Sequence, residues 1–192
     1  MASVADEKKK MTVEEFLALP DDGVERWLIN GELREGDATV TVRNWLHSSI
    51  MARLSLTLGK WWERLESPRG VIVCGEAGVR LVAGSSDTVG VDVAYVSPEV
   101  MARQSGNSSL IEGVPELVVE ILSPSDKLSD IEEKINMYLA AGVPLVWSIN
   151  PMRRTATVYR PSQPDRLVHQ QQSLSGEEVL PGLSIPLHSL FE

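Results

Sequence analysis

Two acidic residues interrupt the most apolar segments of the sequence. Asp92 lies in the run VDVAYV, and Glu120 lies in the run ELVVEIL. Both runs are rich in β-branched residues and apolar on both alternating faces, which is typical of central strands in a sheet covered on both sides. Burying an unpaired charge is costly, so each carboxylate requires a proton, a base or a metal ion as its partner. The alternative, which stays open, is that each acid lies at a solvated strand end or pairs with an arginine.

A lysine borders the apolar face of a predicted helix further along the chain. Leu128, Ile131, Ile135 and Tyr138 recur at helical spacing and form an apolar stripe. Lys134 lies three residues after Ile131 and four before Tyr138, so it is placed beside the stripe rather than on the solvent face. In the simpler interpretation, its aliphatic stem covers apolar surface while its ammonium reaches water.

These three residue types together can hydrolyse a phosphodiester. Two carboxylates are hard oxygen ligands suited to Mg²⁺ or Mn²⁺, ions that keep several waters and bind substrate phosphate. Such an ion lowers the pKa of a bound water and stabilises charge on the phosphate, while a lysine can orient or deprotonate the attacking water. We therefore predict that Asp92 and Glu120 bind the metal ion and that Lys134 completes the catalytic set.

Periodicity predicts the elements that position these residues. The longest helical pattern covers 43–66, and a second helix covers 126–141 and carries the lysine. The two acids lie in predicted strands at 91–96 and 116–122. The order of elements indicates an α/β fold with a mixed central β-sheet flanked by helices. The remaining predictions are a helix at 12–19 and strands at 26–33, 71–73, 79–82, 145–149, 155–159 and 167–170, with a turn at 75–78 between the second and third of these strands.

Composition limits the class of protein. The chain has 192 residues, one cysteine and a formal net charge of −9. The length predicts one domain, placed at 12–192 after a flexible leader at 1–11. Because no signal-like segment or membrane-length apolar run is present, we predict a cytoplasmic protein without membrane association. Cys74 lies in an apolar run and is predicted to be a buried, inert thiol.

Several longer motifs resemble one bacterial family. They are MTVEEFLALPDDG, ERWLINGELRE, TVGVDVAYVS, LVVEILSPSD and DIEEKINMYLAAGVPLVWSINP. Together they resemble the Uma-type restriction-endonuclease family, within the PD-(D/E)XK nuclease-like superfamily. The resemblance implies a restriction-endonuclease-like domain, Mg²⁺ or Mn²⁺ as cofactor, and DNA as partner. It assigns the acidic pair to Asp92 and Glu120, and the lysine, displaced to the following helix, to Lys134.

The sequence departs from the family pattern at particular positions. Leu122 occupies the place of the lysine in the parent superfamily, and Val91 replaces the proline before the strand aspartate. Trp27 stands where the family often has a glutamate. Glu32 or Glu25 could substitute for that missing carboxylate. If the glutamate contributes to metal binding, its loss weakens catalysis.

Further residues are auxiliary candidates, each with a simpler interpretation. Glu76 could approach the same site or be an ordinary turn acid, and His47 could support a metal ligand or be a hydrogen-bonded core histidine. Arg153 and Arg154 could contact phosphate locally, although a solvated turn is the simpler interpretation.

Two functions follow from these observations. The first is a metal-dependent DNA endonuclease; a homodimer is a further expectation, tied most directly to the second. The second is a catalytically weakened or inactive module of the same fold that acts in DNA binding or protein interaction. The acidic net charge argues against a broadly basic nucleic-acid surface and favours the second, although a local basic groove or bound metal ions would offset it.

Overall fold

The fold was obtained as a computed structural model, which describes residues 10–20, 22–36, 44–82, 85–105 and 108–192. Helices and strands alternate along these residues. In chain order they are α1 (Val13–Leu17), β1 (Arg26–Ile29), β2 (Glu32–Glu35), α2 (Trp45–Trp62), β3 (Val71–Arg80), β4 (Thr88–Val96), α3 (Pro98–Met101), β5 (Ile111–Glu112), β6 (Leu117–Ile121), α4 (Leu128–Ala141), β7 (Leu145–Asn150), β8 (Thr155–Tyr159), β9 (Arg166–His169), β10 (Ser173–Ser175), β11 (Ser184–Pro186) and a 3₁₀ helix (Leu187–Leu190).

One mixed sheet organises the described chain. Seven of its strands follow the order β2-β1-β4-β6-β7-β8-β9. β3 lies off this path, where it pairs with β4, and β5 pairs with β3. β6 and β7 are parallel, with α4 as the crossover between them, and β4 is antiparallel to both β3 and β6. The predicted mixed central sheet flanked by helices is therefore confirmed.

The two faces of the sheet bury different cores. Alternation along β6 sends Val119 toward α2 and Val118 toward α4. What we call the α2-side core includes Ile50, Leu54, Leu58, Trp61, Val93, Leu117, Val119, Ile121 and Trp147. What we call the α4-side core includes Trp27, Val79, Val91, Ala94, Val118, Ile131, Ile135, Tyr138 and Val146.

Two predictions about the middle of the chain are wrong. β3 is one continuous strand, Val71–Arg80, rather than two strands around a turn, because the extra residues at its centre form a β-bulge against β4. Cys74 is exposed rather than buried. The reason is that β5 covers the outer edge of β3 only at Val79 and Arg80, which leaves the Cys74 end uncovered.

The other elements agree with the sequence patterns, with small shifts at their ends. Thr12 caps α1 in a capping box with Glu15, and the segment at 26–33 is a hairpin whose turn lies at Asn30 and Gly31. α2 is shorter than predicted, at Trp45–Trp62. None of the described helices is long and apolar enough to cross a membrane. Of the predicted leader, 1–9 lies outside the described residues.

Candidate active site

Asp92 and Glu120 lie opposite each other on neighbouring strands. The antiparallel register pairs Val93 with Val119, so the next step pairs Asp92 with Glu120. Each residue is only 4% exposed. Like charges directly across a strand pair repel, and burial strengthens the repulsion because water no longer screens it. Something must therefore compensate this pair: a proton, a cation or both.

Asp92 is stabilised as a carboxylate by a backbone donor and a neighbouring imidazole. The backbone N–H of Ile121 donates to Asp92 Oδ2 at 2.7 Å, and Nε2 of the buried His47 lies 3.1 Å from Asp92 Oδ1. Burial by itself raises the pKa of Asp92, but the His47 imidazole and the Ile121 N–H outweigh it and hold that pKa below its usual value. His47 thus contacts Asp92 from the first turn of α2.

Glu120 is in the opposite electrostatic situation. Burial raises the pKa of Glu120 to about 8, and the Asp92 charge adds to the effect, although Lys134 opposes it. The Tyr138 hydroxyl donates to Glu120 Oε1 at 2.5 Å, and Lys134 Nζ lies 3.7 Å from Oε2. The two carboxylates therefore differ: without a bound metal ion, Asp92 carries the charge and Glu120 binds a proton near neutral pH.

The Lys134 ammonium lies among groups that favour its charged form. It forms ion pairs with Glu120 and with Glu25, and it lies 4.8 Å from the centre of the Trp27 ring. Burial alone lowers the pKa of Lys134, but the two carboxylates outweigh burial and raise that pKa. Lys134 is therefore a buried cation and hydrogen-bond donor rather than a base.

The bulge in β3 brings a third acid to the pair. The register of β3 against β4 shifts between Cys74 and Ala77, so that Gly75 and Glu76 together oppose Asp92. Both bulge residues have positive φ, 82° at Gly75 and 62° at Glu76. A Cβ on Gly90 would lie 2.7 Å from Glu76 Oε2, so glycine at that position leaves room for the glutamate. Bulges often re-aim a side chain beside an active site, and this one directs Glu76 toward Asp92.

One cavity of about 130 Å³ collects these side chains. Of the predicted site residues, all but Glu32 line it; Glu32 instead pairs with Arg34 at 2.9 Å. The lining consists of Gly23, Glu25, Trp27, Gly36, Asn44, His47, Glu76, Asp92, Glu120, Ile121, Ser123, Ser125, Asp126, Lys127, Asp130, Ile131 and Lys134.

Sequence reasoning missed or underweighted two contributors to the site. Tyr138 was assigned only to the apolar stripe of α4, yet its hydroxyl contacts Glu120. Glu25 was one of two weak substitutes for the missing carboxylate, and it is the one that reaches Lys134. The signal for Glu25 was its spacing from Trp27, because residues two apart along an extended chain point to the same side.

The comparison with protein families identifies the chain. The family model described as "Uma2: Putative restriction endonuclease" matches residues 13–188. The chain belongs to this family. Among solved structures it is similar to the crystal structure of a "putative nuclease belonging to DUF820" from Anabaena variabilis, with a TM-score of 0.78 and 19% sequence identity over 94% of this chain and 97% of that chain. No protein of curated function matches the chain.

Membership in the Uma2 family supports a nuclease as the general class, and restriction-endonuclease-like families usually use a divalent metal ion. Among the residues that the structure describes, no three His, Cys, Asp or Glu side chains converge closely enough to enclose an ion by themselves. Mg²⁺ and Mn²⁺ do not require such an enclosure, since Mg²⁺ is usually bound by one or two carboxylates together with waters and substrate phosphate. The buried pair Asp92 and Glu120 fits that donor set.

Proposed function

We propose that this Uma2-family protein is a metal-dependent endonuclease that hydrolyses phosphodiester bonds in DNA. One observation carries the proposal: two buried carboxylates face each other across β4 and β6, and the Lys134 ammonium lies in the same cavity. The cavity is lined by six carboxylates, those of Glu25, Glu76, Asp92, Glu120, Asp126 and Asp130, against the three basic side chains of His47, Lys127 and Lys134. The excess of acid is what a site for a divalent cation requires.

Asp92 and Glu120 would hold Mg²⁺ or Mn²⁺. When bound, such an ion supplies an acidified water and charge stabilisation at the phosphate. Glu120 would have to be ionised to serve as a ligand, and its carboxylate lies 3.7 Å from Lys134 Nζ, which would help to hold it in that form. Lys134 would donate to a phosphate oxygen and stabilise the charge that develops there. His47 would keep Asp92 oriented through the contact between Nε2 and Oδ1.

The alternative is a catalytically weakened module of the same fold. Its main support in the sequence is Trp27, at the position of the family glutamate. The structure weakens that support, because Glu25 supplies a carboxylate to Lys134 from the same strand segment and the Trp27 ring lies against the same ammonium. We therefore favour the active enzyme. The homodimer and the cytoplasmic location stay predictions.

Cleavage of plasmid and single-stranded DNA with Mg²⁺ or Mn²⁺ tests the proposal. We expect products with either ion, no products with EDTA, and a loss of at least about 100-fold in rate for Asp92→Asn, which keeps the side-chain shape and removes the charge. Calorimetry with Mn²⁺ gives an independent measurement, since the parent should bind the ion and Glu120→Gln should not. Equal cleavage by Asp92→Asn and the parent would reject the assignment of this site.

A further inference from the structure

The cavity opens at one end of the sheet, where several turns meet. β6 and β7 are parallel, and both end there: Ile121 pairs with Ile149, and the Leu122 N–H donates to the Ile149 carbonyl. β8 is antiparallel to β7 and β9 to β8, so the end of β9 lies on the same side. The β6–α4 loop, the β7–β8 turn at 151–154 and the residues after β9 therefore share this end.

The β7–β8 turn carries two exposed arginines with no carboxylate partner. Arg153 and Arg154 are both exposed, and neither forms an ion pair with any residue that the structure describes. The arginines at 26, 34, 80, 160 and 166 all pair with Asp or Glu, whereas Arg64, Arg69 and Arg103 are exposed and form no ion pair with a described residue but stand singly, not next to another arginine. In a chain with a net charge of −9, two adjacent uncompensated cations are a local exception.

The backbone at Arg154 adds a second observation. Its φ is 50°, in the left-handed region that Gly or Asn adopts more readily than Arg. The turn is fixed in this conformation, since Asn150 Oδ1 accepts a hydrogen bond from the Arg153 N–H at 3.0 Å. Arginine in this conformation lowers the stability of the fold relative to glycine. The presence of arginine there is therefore consistent with a role for its guanidinium.

A shallow groove continues from Arg154 along this end of the sheet. It has a volume of about 300 Å³ and is lined by Arg154, Gln170, Gln171, His188, Phe191 and Glu192. The glutamine amides and the arginine can donate hydrogen bonds to phosphate oxygens. The groove is open and does not enclose a ligand. Glu192 is the one acidic side chain of this lining and lies 3.8 Å from His188 Nε2, so the groove suits an extended anionic chain along its Arg154 and glutamine side better than a small ligand.

The β7–β8 turn is close enough to the carboxylate pair for one DNA strand to contact both. Ser148 pairs with Glu120, and Arg153 follows Ser148 by five residues. At about 3.3 Å per residue in a strand, and less through the turn, the separation is roughly 10–15 Å. DNA carries one phosphate per about 3.4 Å of axis on each strand, so a strand with one phosphate in the cavity presents several more toward the turn.

We propose that Arg153 and Arg154, continued by the Gln170 and Gln171 amides, bind the phosphate backbone of the DNA strand that enters the cavity. The inference rests on the proposed nuclease function and names where the substrate lies. It also accounts for nucleic-acid binding by an acidic chain, because the favourable charge is local to the end of the sheet where the cavity opens.

Binding without metal ion separates this inference from catalysis. Fluorescence anisotropy with a short duplex and with a single strand of the same sequence, in EDTA and at about 50–200 mM NaCl, gives the affinity and its salt dependence. We expect the double variant Arg153→Gln, Arg154→Gln to weaken binding of at least one DNA form by about tenfold, and to reduce the slope of log K against log salt by about one per arginine. Asp92→Asn should retain the salt slope of the parent.

Arg103 provides a matched control at the opposite end of the sheet. It is exposed, without an ion pair to any described residue, and lines a surface depression with Gly142 and Pro144, just before β7 begins. Arg103→Gln removes the same charge and should leave affinity and slope unchanged. If the double variant binds like the parent, if Arg103→Gln weakens binding equally, or if the parent binds neither DNA form, the inference is wrong.

Arg154→Gly distinguishes a binding role from a structural one. Gly fits the positive φ, so the variant should unfold at the same or a higher urea concentration while binding DNA more weakly. Parent-like binding by Arg154→Gly would overturn the assignment of that residue. A parent that binds DNA through these arginines but does not cleave would reject the nuclease proposal alone, and a parent that cleaves while the arginine variants bind normally would reject this inference alone.

Discussion

The two cores of this protein share a sheet and differ in what they bury. The α2-side core is apolar, and the largest of its fully buried side chains is Trp147. The α4-side core is packed from the same strands, yet Asp92, Glu120 and Lys134 lie at its edge with 4% exposure each. Consecutive residues of β6 illustrate the difference, because Val119 faces one core and Glu120 faces the other.

The α2-side core mainly stabilises the fold, whereas the α4-side core carries the groups of the candidate site. Burial of apolar side chains on the α2 side stabilises the fold, at about 25 cal/mol for each Å² removed from water. Burial of charges on the α4 side opposes folding unless each charge is matched. The second core therefore holds groups that a protein selected only for stability would replace, and the comparison predicts opposite responses to substitution on the two faces.

The largest expected effect comes from one substitution in each core. Leu54→Ala removes a fully buried side chain from the α2-side core, and should lower the free energy of unfolding by about 2–5 kcal/mol while Mn²⁺ affinity stays unchanged. Glu120→Gln keeps the volume and the Tyr138 contact but removes the charge. It should leave the metal-free protein at least as stable at pH 8. It should weaken Mn²⁺ binding by more than about 100-fold, because substitution of residues that only support a metal ligand already weakens binding by up to about 100-fold.

Urea unfolding and Mn²⁺ calorimetry on the two variants measure both quantities. A Glu120→Gln protein that loses stability as Leu54→Ala does, and still binds Mn²⁺, would contradict the division between the cores. The carboxylate would then be an ordinary structural partner of Tyr138 and Lys134.

The second prediction concerns Lys134, the buried cation at the edge of the α4-side core. Lys134→Met keeps the apolar stem and removes the ammonium, and should lower the cleavage rate by about 10²–10³-fold, as expected for loss of one preorganised charge donor. Lys134→Arg should recover part of that rate, since a guanidinium can donate but cannot serve as a base. Lys60→Met, at an exposed position of α2, is the control. Equal inactivity of the Arg and Met variants would indicate that Lys134 acts through proton transfer instead.

Periodicity predicted most of the fold, because the strands around the acids are long and apolar. The alternation in β4 and β6 indicated the sheet, and the stripe of α4 placed Lys134 near the core. The bulge in β3 was missed because the Gly-containing segment from Gly75 to Gly78 looks like a turn when its partner strand is unknown. Bulge and turn use the same residues, and only the pairing with β4 distinguishes them.

The residues of the candidate site are harder to predict from the sequence than the strands of the sheet. Asp92 and Glu120 were conspicuous because acids are rare in such runs. Glu25 was not, since it precedes its strand among polar residues and only tertiary packing brings it to Lys134. The Tyr138 hydroxyl was hidden for the opposite reason, because a tyrosine within an apolar stripe is consistent with ordinary packing.

The pH dependence of stability tests the charge state of the α4-side core. Burial raises the pKa of Glu120 to about 8 from its ordinary value of 4.5, so the folded protein holds this proton more tightly than the unfolded chain. The resulting stability is full below about pH 4.5 and is lost as the pH rises through about 8, by at most about 1.4 kcal/mol per pH unit. The Asp92 shift is downward and acts only at lower pH.

Urea unfolding in EDTA across this range should therefore show a decline in the parent that Glu120→Gln lacks. Saturating Mn²⁺ should remove the decline, because the ion competes with the proton and binds better as the pH rises. Parent and variant curves of the same slope would show that Glu120 is already ionised in the metal-free fold, and that Lys134 alone balances the pair.

The smallest expected effect concerns Trp27, whose ring lies 4.8 Å from Lys134 Nζ. A cation–π contact contributes about 0.5–2 kcal/mol, so Trp27→Leu should lower the cleavage rate by less than about 30-fold with little change in Mn²⁺ affinity, and Trp27→Phe should recover most of it. Trp62 is a matched control, since its ring lies 4.9 Å from the Arg69 guanidinium, away from the cavity. Trp62→Leu should affect stability only. If both leucine variants lose activity in proportion to stability, Trp27 is a packing residue and Glu25 alone positions the ammonium.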